Sequence, residues 1–279
     1  IIPHLEHSIG AFFPEKGMYS IIEALYALAL DQGIQFNFNE EVKEIVIKNN
    51  KATAVKSSTT SYYTDYVISN SDVIFTYENL IRQGSCPAYI KKQERSSSAL
   101  IFYWGIKREF PHLDLHNIIF SSDYKTEFKN LFEEKNLSGD PTVYIYISSK
   151  LNPEDSPAGM ENWFVMINAP CIEDQNWPQL IDEARRSIQA KINRHLNCNI
   201  EDEILFEEIL SPEDIEKKTG SFKGSLYGSS SNNMLAAFLR HPNFSRKYKN
   251  LYFSGGSVHP GGGIPLCLLS AKILSHMID

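Results

Sequence analysis

Cysteine is scarce in this 279-residue chain: Cys86, Cys171, Cys198 and Cys267 lie far apart, with no C-x-x-C pair. Metal and redox spacing are therefore absent, and free thiols in a reducing cytoplasm are the expectation. Positive charge is also in deficit. The 27 Lys and Arg face 34 Asp and Glu, a net charge of −7, and no basic stripe interrupts the pattern. That excludes a nucleic-acid partner. Metal-ligating clusters are missing too. His112 and His116 flank Asp114, but Pro111 places them in a loop rather than at i, i+4 on a helix, so no metal is assigned. No apolar run reaches the roughly 18 residues that cross a bilayer. The chain opens on Ile1-Ile2-Pro3 without an initiator Met, and we expect sequence upstream of it.

What is present describes a globular protein. Hydrophobic residues make up 42% and charged residues 22%, and the length suits one large or two ordinary domains. With 14 Tyr and 16 Phe, the composition points to a large sheet or an apolar pocket. A helix is expected from Met18 to Gln32, its apolar face formed by Ile21, Ile22, Leu25, Leu28 and Ala29, with Gly33 as its stop. Ile34 to Phe38 reads as a strand. Val42 to Ile47 reads as another, turning at Asn49-Asn50 into Ala52–Lys56. Tyr62-Tyr63 and Tyr66–Ser69 close this block, and residues 70–95 read as helix and linker. Strands are expected at Ala99–Ile106, Thr142–Ser148, Trp163–Asn168 and Ile204–Ile209. One amphipathic helix spans about Pro178 to Leu196. Its basic residues Arg185, Arg186, Lys191 and Arg194 are interleaved with Asp182 and Glu183 and read as a solvated face. A short helix starts at Pro212. Several strands with few helices between them imply a mixed or antiparallel sheet with a helical layer.

The C-terminal run is the most informative. Leu251-Tyr252-Phe253 is apolar without alternation, as a strand covered on both faces should be. Five glycines, Gly255, Gly256, Gly261, Gly262 and Gly263, follow within nine residues, with His259-Pro260 between them. Glycine permits positive φ and close approach of backbone to a ligand. Pro265 then opens a helix, with a stripe of Leu266, Leu269, Ile273 and Met277. Backbone amides at a helix start suit an anion or an electron-rich ring edge. The plainer reading is a structural glycine turn. A second stretch rich in Gly and Ser, 220–231, brackets the same strand, so the two stretches could converge.

These residues resemble a known family, the phytoene desaturase-type carotenoid dehydrogenases, which are flavoproteins of the FAD-dependent amine-oxidase-like superfamily. Phe13-Pro14-Glu15-Lys16-Gly17-Met18 is similar to the family's Pro-x-x-Gly-Met segment. Glu41–Ile45 with Asp65–Asp72 resembles its flavin-domain hairpin and exit, and Ser96–Trp104 the opening of its substrate domain. Asn250–Pro265 resembles its closing flavin motif, and the wording Ser257-Val258-His259-Pro260-Gly261 leans toward the 3,4-desaturases of hydroxylated or methoxylated carotenoids. The resemblance covers nearly the whole chain.

The resemblance implies an α+β (mixed α/β) fold: a partial FAD-binding Rossmann-like domain without its N-terminal βαβ unit, over residues 1–80 and 212–279, and a substrate domain over 81–211. It implies removal of hydride and a proton from a polyene to add a C=C bond, with the flavin as hydride acceptor. Gly255, Gly256, Gly262, Gly263 and Ile264 would bring backbone amides to the flavin, and Val42 would lie beside the adenine. His259 would stand near the ring, either as a proton acceptor or as a plain turn histidine. A carotenoid or other long isoprenoid would need an apolar tunnel, for which Phe102, Tyr103, Trp104, Trp163, Phe164 and Met166 are candidates. Strand alternation sets about half of these facing the other way. A cytoplasmic protein with peripheral membrane contact is expected.

One departure qualifies this. The family's G-x-G-x-x-G phosphate-binding fingerprint occurs nowhere in the chain. We therefore expect about the first two-fifths of the enzyme to be missing, and this chain alone to be inactive and to bind FAD weakly or not at all. Two other readings stand beside this one. One is a non-catalytic isoprenoid- or lipid-binding module using the same apolar cavity. The other is a different amine-oxidase-like oxidoreductase.

Overall fold

The computed structural model describes residues 4, 7–10, 12–82, 84–230, 232 and 239–278. Ile1-Ile2-Pro3, Ser231 and Asp279, which bounded stretches read above, lie outside them. Helix α1 (Tyr19–Asp31) precedes β1 (Val42–Lys48), β2 (Lys51–Ser57), β3 (Ser61–Tyr63) and β4 (Val67–Ser69). The short helical pieces Val73–Phe75 and Ala88–Lys91 flank a π-helical turn, Thr76–Leu80. Strands β5 (Ser98–Ile106), β6 (His116–Ile119), β7 (Val143–Tyr146) and β8 (Glu161–Ala169) follow, then α2 (Trp177–Leu196), β9 (Ile204–Leu210) and α3 (Pro212–Thr219). The chain ends on β10 (Leu251–Phe253) and α4 (Ile264–Ile278). Among the described residues there are three sheets: antiparallel β1-β2-β3, a parallel pair β10-β4, and an antiparallel sheet ordered β6-β7-β8-β5-β9. This is the mixed α/β architecture expected.

Local chemistry sets most element ends. Asn49 and Asn50 hold φ of 50° and 58° between paired Lys48 and Lys51, the left-handed pair that a two-residue hairpin loop requires. Gly33, at φ 78°, ends α1, and Ile34 N donates to Ala29 O at 3.0 Å across it. Ser211 and Asp214 form a reciprocal capping box at the start of α3.

The five-stranded sheet carries the main core. On one face Leu100, Phe102, Trp104, Trp163, Val165 and Ile167 pack beneath α2, which contributes Trp177, Ala184, Ile188 and Ile192. A second cluster joins Tyr77 and Ile74 to Leu251, Phe253 and Val258 around the parallel pair.

Four expectations are corrected. Residues 34–38 form no strand; Phe36 and Phe38 instead stack on each other at 5.7 Å and meet Tyr26 of α1. The apolar face of α1 is not buried, since none of its residues is. In α4 the predicted stripe stays exposed or half-buried, and Ser270 and Leu274 face inward. The polar contacts of Ser270 decide that orientation, as shown below. Lys191 is not part of a solvated face. It is buried, with Nζ 2.6 Å from Asp140 Oδ1 and donating to Pro141 O and Phe120 O. No helix among the described residues is long and apolar enough to cross a membrane.

Candidate functional site

Strands β4 and β10 end side by side, at Ser69 and Phe253. The crevice beyond the carboxyl ends of parallel strands is where open α/β sheets take ligands. Here it is floored by a tightly pinned loop. Ser254 N donates to Ser69 O at 3.1 Å, and Asn70 Nδ2 to Ser254 O at 2.9 Å. Val73 N donates to Ser257 Oγ at 3.1 Å. From below, the Ser270 hydroxyl accepts from Gly255 N at 3.1 Å and from Asn243 Nδ2 at 2.8 Å. Asn243 Nδ2 also reaches the carbonyls of His259 (2.9 Å) and Phe253 (3.2 Å). Arg240 spans the two glycine-rich stretches, with Nη1 donating to Tyr227 O at 2.9 Å and Gly256 O at 3.2 Å.

The glycines divide on what a side chain would meet. A Cβ on Gly255, which sits at φ 116°, would lie 2.7 Å from Asn70 Nδ2. On Gly256 it would press on Gly262 Cα at 3.2 Å, and on Gly262 it would strike Tyr227 Cδ1 at 2.3 Å. These three are small because the chain packs on itself. Gly263 differs: it has φ 99° and no heavy atom within 4 Å of its missing side chain. It leads into the exposed Ile264 and the first turn of α4.

His259 is exposed, and its backbone is fixed at both ends, with N donating to His241 O and O accepting from Asn243. Among the described residues no hydrogen bond orients its imidazole. The better-held histidine is His241, which the sequence reading passed over. Its Nδ1 lies 2.7 Å from Pro242 O and its Nε2 3.2 Å from the Tyr77 hydroxyl. Burial pushes this imidazole down to about 4, so it is neutral at ordinary pH. Asn243 and Ser270 were also missed. A polar run Arg240-His241-Pro242-Asn243 before an apolar strand was the available signal, but it carries no period from which a partner can be read.

Val42 lines a cavity of about 390 Å³ with Ile45, Val55, Ile68, Asn70 and Ser71. Asn70 therefore touches both this cavity and the glycine loop.

The sheet separates the six substrate candidates by strand parity. Phe102, Trp104 and Trp163 lie under α2, at most 2% exposed, with Trp104 Nε1 bonded to Glu207 and Trp163 Nε1 to Glu161. No ligand reaches them without opening the core, and they leave the candidate set. Tyr103, Phe164 and Met166 lie on the opposite face, where register lines up two rows. One runs His116, Tyr146, Phe164, Tyr103, Glu208; the other runs Ile118, Tyr144, Met166, Ile101, Leu210. At about 4.8 Å per strand, each row spans roughly 19 Å. The rings touch in sequence: Tyr103 on Phe164 at 5.6 Å, Phe164 on Tyr144 at 6.2 Å, and Phe13 on Tyr146 at 6.4 Å. This face is partly open, and Tyr103 is 38% exposed. Burial, with Glu208 nearby, raises the Tyr103 phenol above its usual range and keeps it neutral.

The two halves of the site are stitched together at the start of β5. Ser96 N donates to Gly228 O, Leu226 N to Ser97 O and Tyr227 N to Ser96 Oγ. Tyr227, so held, covers Gly262. The two glycine-rich stretches do converge, as Gly228 also packs on Ser257.

No family model matches the sequence. Over 278 residues the chain is 53% identical to the 1-hydroxycarotenoid 3,4-desaturase of Flavobacterium sp. (strain P99-3), covering all of this chain and 57% of that protein. It is 30% identical over 283 residues to the 4,4'-diaponeurosporene oxygenase of Staphylococcus haemolyticus (strain JCSC1435), covering all of this chain and 56% of that protein. Its fold matches the crystal structure of an oxidoreductase from Methanosarcina mazei with a TM-score of 0.66 at 15% identity, across all of this chain and 58% of that one. The resemblance read from the sequence is thus borne out. The chain spans a little over half the length of each relative.

Proposed function

We propose that this chain forms the substrate wall and the closing flavin loop of an FAD-dependent carotenoid desaturase. The carrying observation is the open, ring-lined sheet face joined through Tyr227 to the glycine loop. The similarity to carotenoid-modifying enzymes supports the same reading. Such a face suits a long, nearly uncharged polyene, which gains by leaving water for aromatic surface. Tyr103, Phe164 and Met166 would hold the polyene and exclude water from it.

The residues present fit part of a flavin site. Gly263 offers bare backbone to open space at the start of a 15-residue helix. Helix dipoles favour negative charge at such a position. The cavity at Val42 would take the adenine end, and the amides of Gly255, Gly256, Gly262 and Ile264 would line the approach to the ring. When bound, the flavin supplies the hydride acceptor for the desaturation. His259 is the candidate proton acceptor. Its exposed imidazole lacks an orienting partner among the described residues, so substrate or cofactor would have to position it.

A binding-only module is favoured by one observation: packing alone explains three of the four candidate glycines. The test is to join this chain to the part of the Flavobacterium relative it does not span, and to assay flavin absorbance and desaturation of a hydroxycarotenoid in lipid vesicles. Retained flavin and a product with one more double bond and two fewer hydrogens are expected, with the chain alone taking up little FAD. A folded protein with neither flavin nor product would overturn the enzyme reading and leave the binding module. Peripheral contact with the vesicles belongs to the same proposal and is read from co-flotation.

A further inference from the structure

The open face is apolar along its middle and polar at its two edges, with neutral groups at one and a carboxylate at the other. On edge strand β6, His116 and Ile118 close the two rows. His116 Nδ1 lies 2.8 Å from the Tyr144 hydroxyl, which belongs to the other row, so this pair bridges the channel between the rows. The imidazole stacks on Tyr144 at 19° and on Tyr146 at 26°, with centroids 6.1 and 5.3 Å apart. Stacking on two rings holds an exposed histidine in one orientation, an order that a solvated surface histidine lacks. Among the described residues nothing hydrogen-bonds to Nε2. Burial lifts the Tyr144 phenol above its usual range, so it stays a neutral donor and acceptor.

We propose that His116 and Tyr144 recognise a hydroxyl at the end of the long apolar substrate, making them specificity residues rather than catalytic ones. The inference rests on reading the open face as the substrate wall. The chemistry is that of a neutral polar end. The imidazole edge and the phenol can each donate to or accept from an alcohol, whereas a hydrocarbon end would strip water from both and return nothing. A site built around paired polar groups discriminates chiefly by leaving them unpaired when the wrong ligand binds. At the far edge of the same row stands Glu208, a carboxylate, which disfavours an acidic end there.

The experiment uses the 279-residue chain and two probes of equal length, the C20 alcohol geranylgeraniol and the matching hydrocarbon that ends in methyl. Both are delivered from cyclodextrin and followed by quenching of intrinsic fluorescence. The alcohol should bind about five- to tenfold tighter, the worth of one net hydrogen bond. Tyr144→Phe and His116→Phe should each remove most of that preference while leaving hydrocarbon affinity within about twofold. Equal affinity for the two probes, or a preference that survives both substitutions, overturns the inference and leaves the substrate wall standing. Failure of both probes to bind a chain that keeps its near-UV circular dichroism overturns the wall and the inference together.

Discussion

The five-stranded sheet and the parallel pair differ in how much of their apolar surface the chain covers. The sheet keeps its cover close at hand. Helix α2 follows β8 directly and seals one face, so three Trp side chains are at most 2% exposed. The parallel pair draws β4 and β10 from distant parts of the chain and has two strands among the described residues. Parallel sheets normally bury both faces under helices. Around this pair Tyr77, Leu251 and Phe253 are buried, but α4 leaves Leu266, Leu268 and Leu269 at least 40% exposed. Stability should therefore reside in the sheet, while the glycine loop depends on a few hydrogen bonds.

The sharpest way to break this contrast is to cut into the sheet core. Trp163→Ala should cost about 3–5 kcal/mol by urea denaturation. A loss under 1 kcal/mol would mean that the sheet does not dominate. The next largest effect belongs to the parallel pair and follows pH. The folded chain holds His241 neutral down to about 4, whereas an unfolded chain takes up a proton near 6.5. Between those values the unfolded state binds more protons. The stability His241 contributes is therefore complete above pH 6.5, falls as pH drops toward 4, and levels off below, a change of at most about 3 kcal/mol. The flanking Arg246 adds to the same direction. His241→Gln should flatten the slope of melting temperature across that window, and an unchanged slope would assign it to another group. The smallest effect is expected from Leu268→Ala on α4, within about 0.5 kcal/mol because the side chain is already in water. A cost like that of Trp163→Ala would erase the difference between the two regions.

Much of this architecture is legible in the residues. Asn49-Asn50 announces its hairpin, Gly33 its helix end, and the apolar runs mark β5, β8, β9 and β10. Alternation also divides Phe102 and Trp104 from Tyr103, but it cannot say which set faces inward. That is decided by the side on which α2 packs, a tertiary choice. Strand β6 departs from the loop expected around His116, since Pro111 and the polar residues around His112 mask four strand residues that pair with β7. The helix faces of α1 and α4 are open, against expectation, for one shared reason. Apolar periodicity shows which side could be buried, not whether anything covers it. At the glycine loop the sequence pointed to ligand contact, and the geometry adds that most of those glycines answer to Asn70, Tyr227 and each other.

The Tyr227–Gly262 contact bears on how such a loop could be transplanted. The glycine run looks like a short cassette of nine residues. Its ring cover comes from residue 227, its crossbar from residue 240, and its anchors from residues 243 and 270. An engineer grafting residues 255–263 alone onto another protein would carry over the sequence and lose the shape. The portable unit is a discontinuous one, in which the glycines are the visible part and the polar side chains behind them set the form.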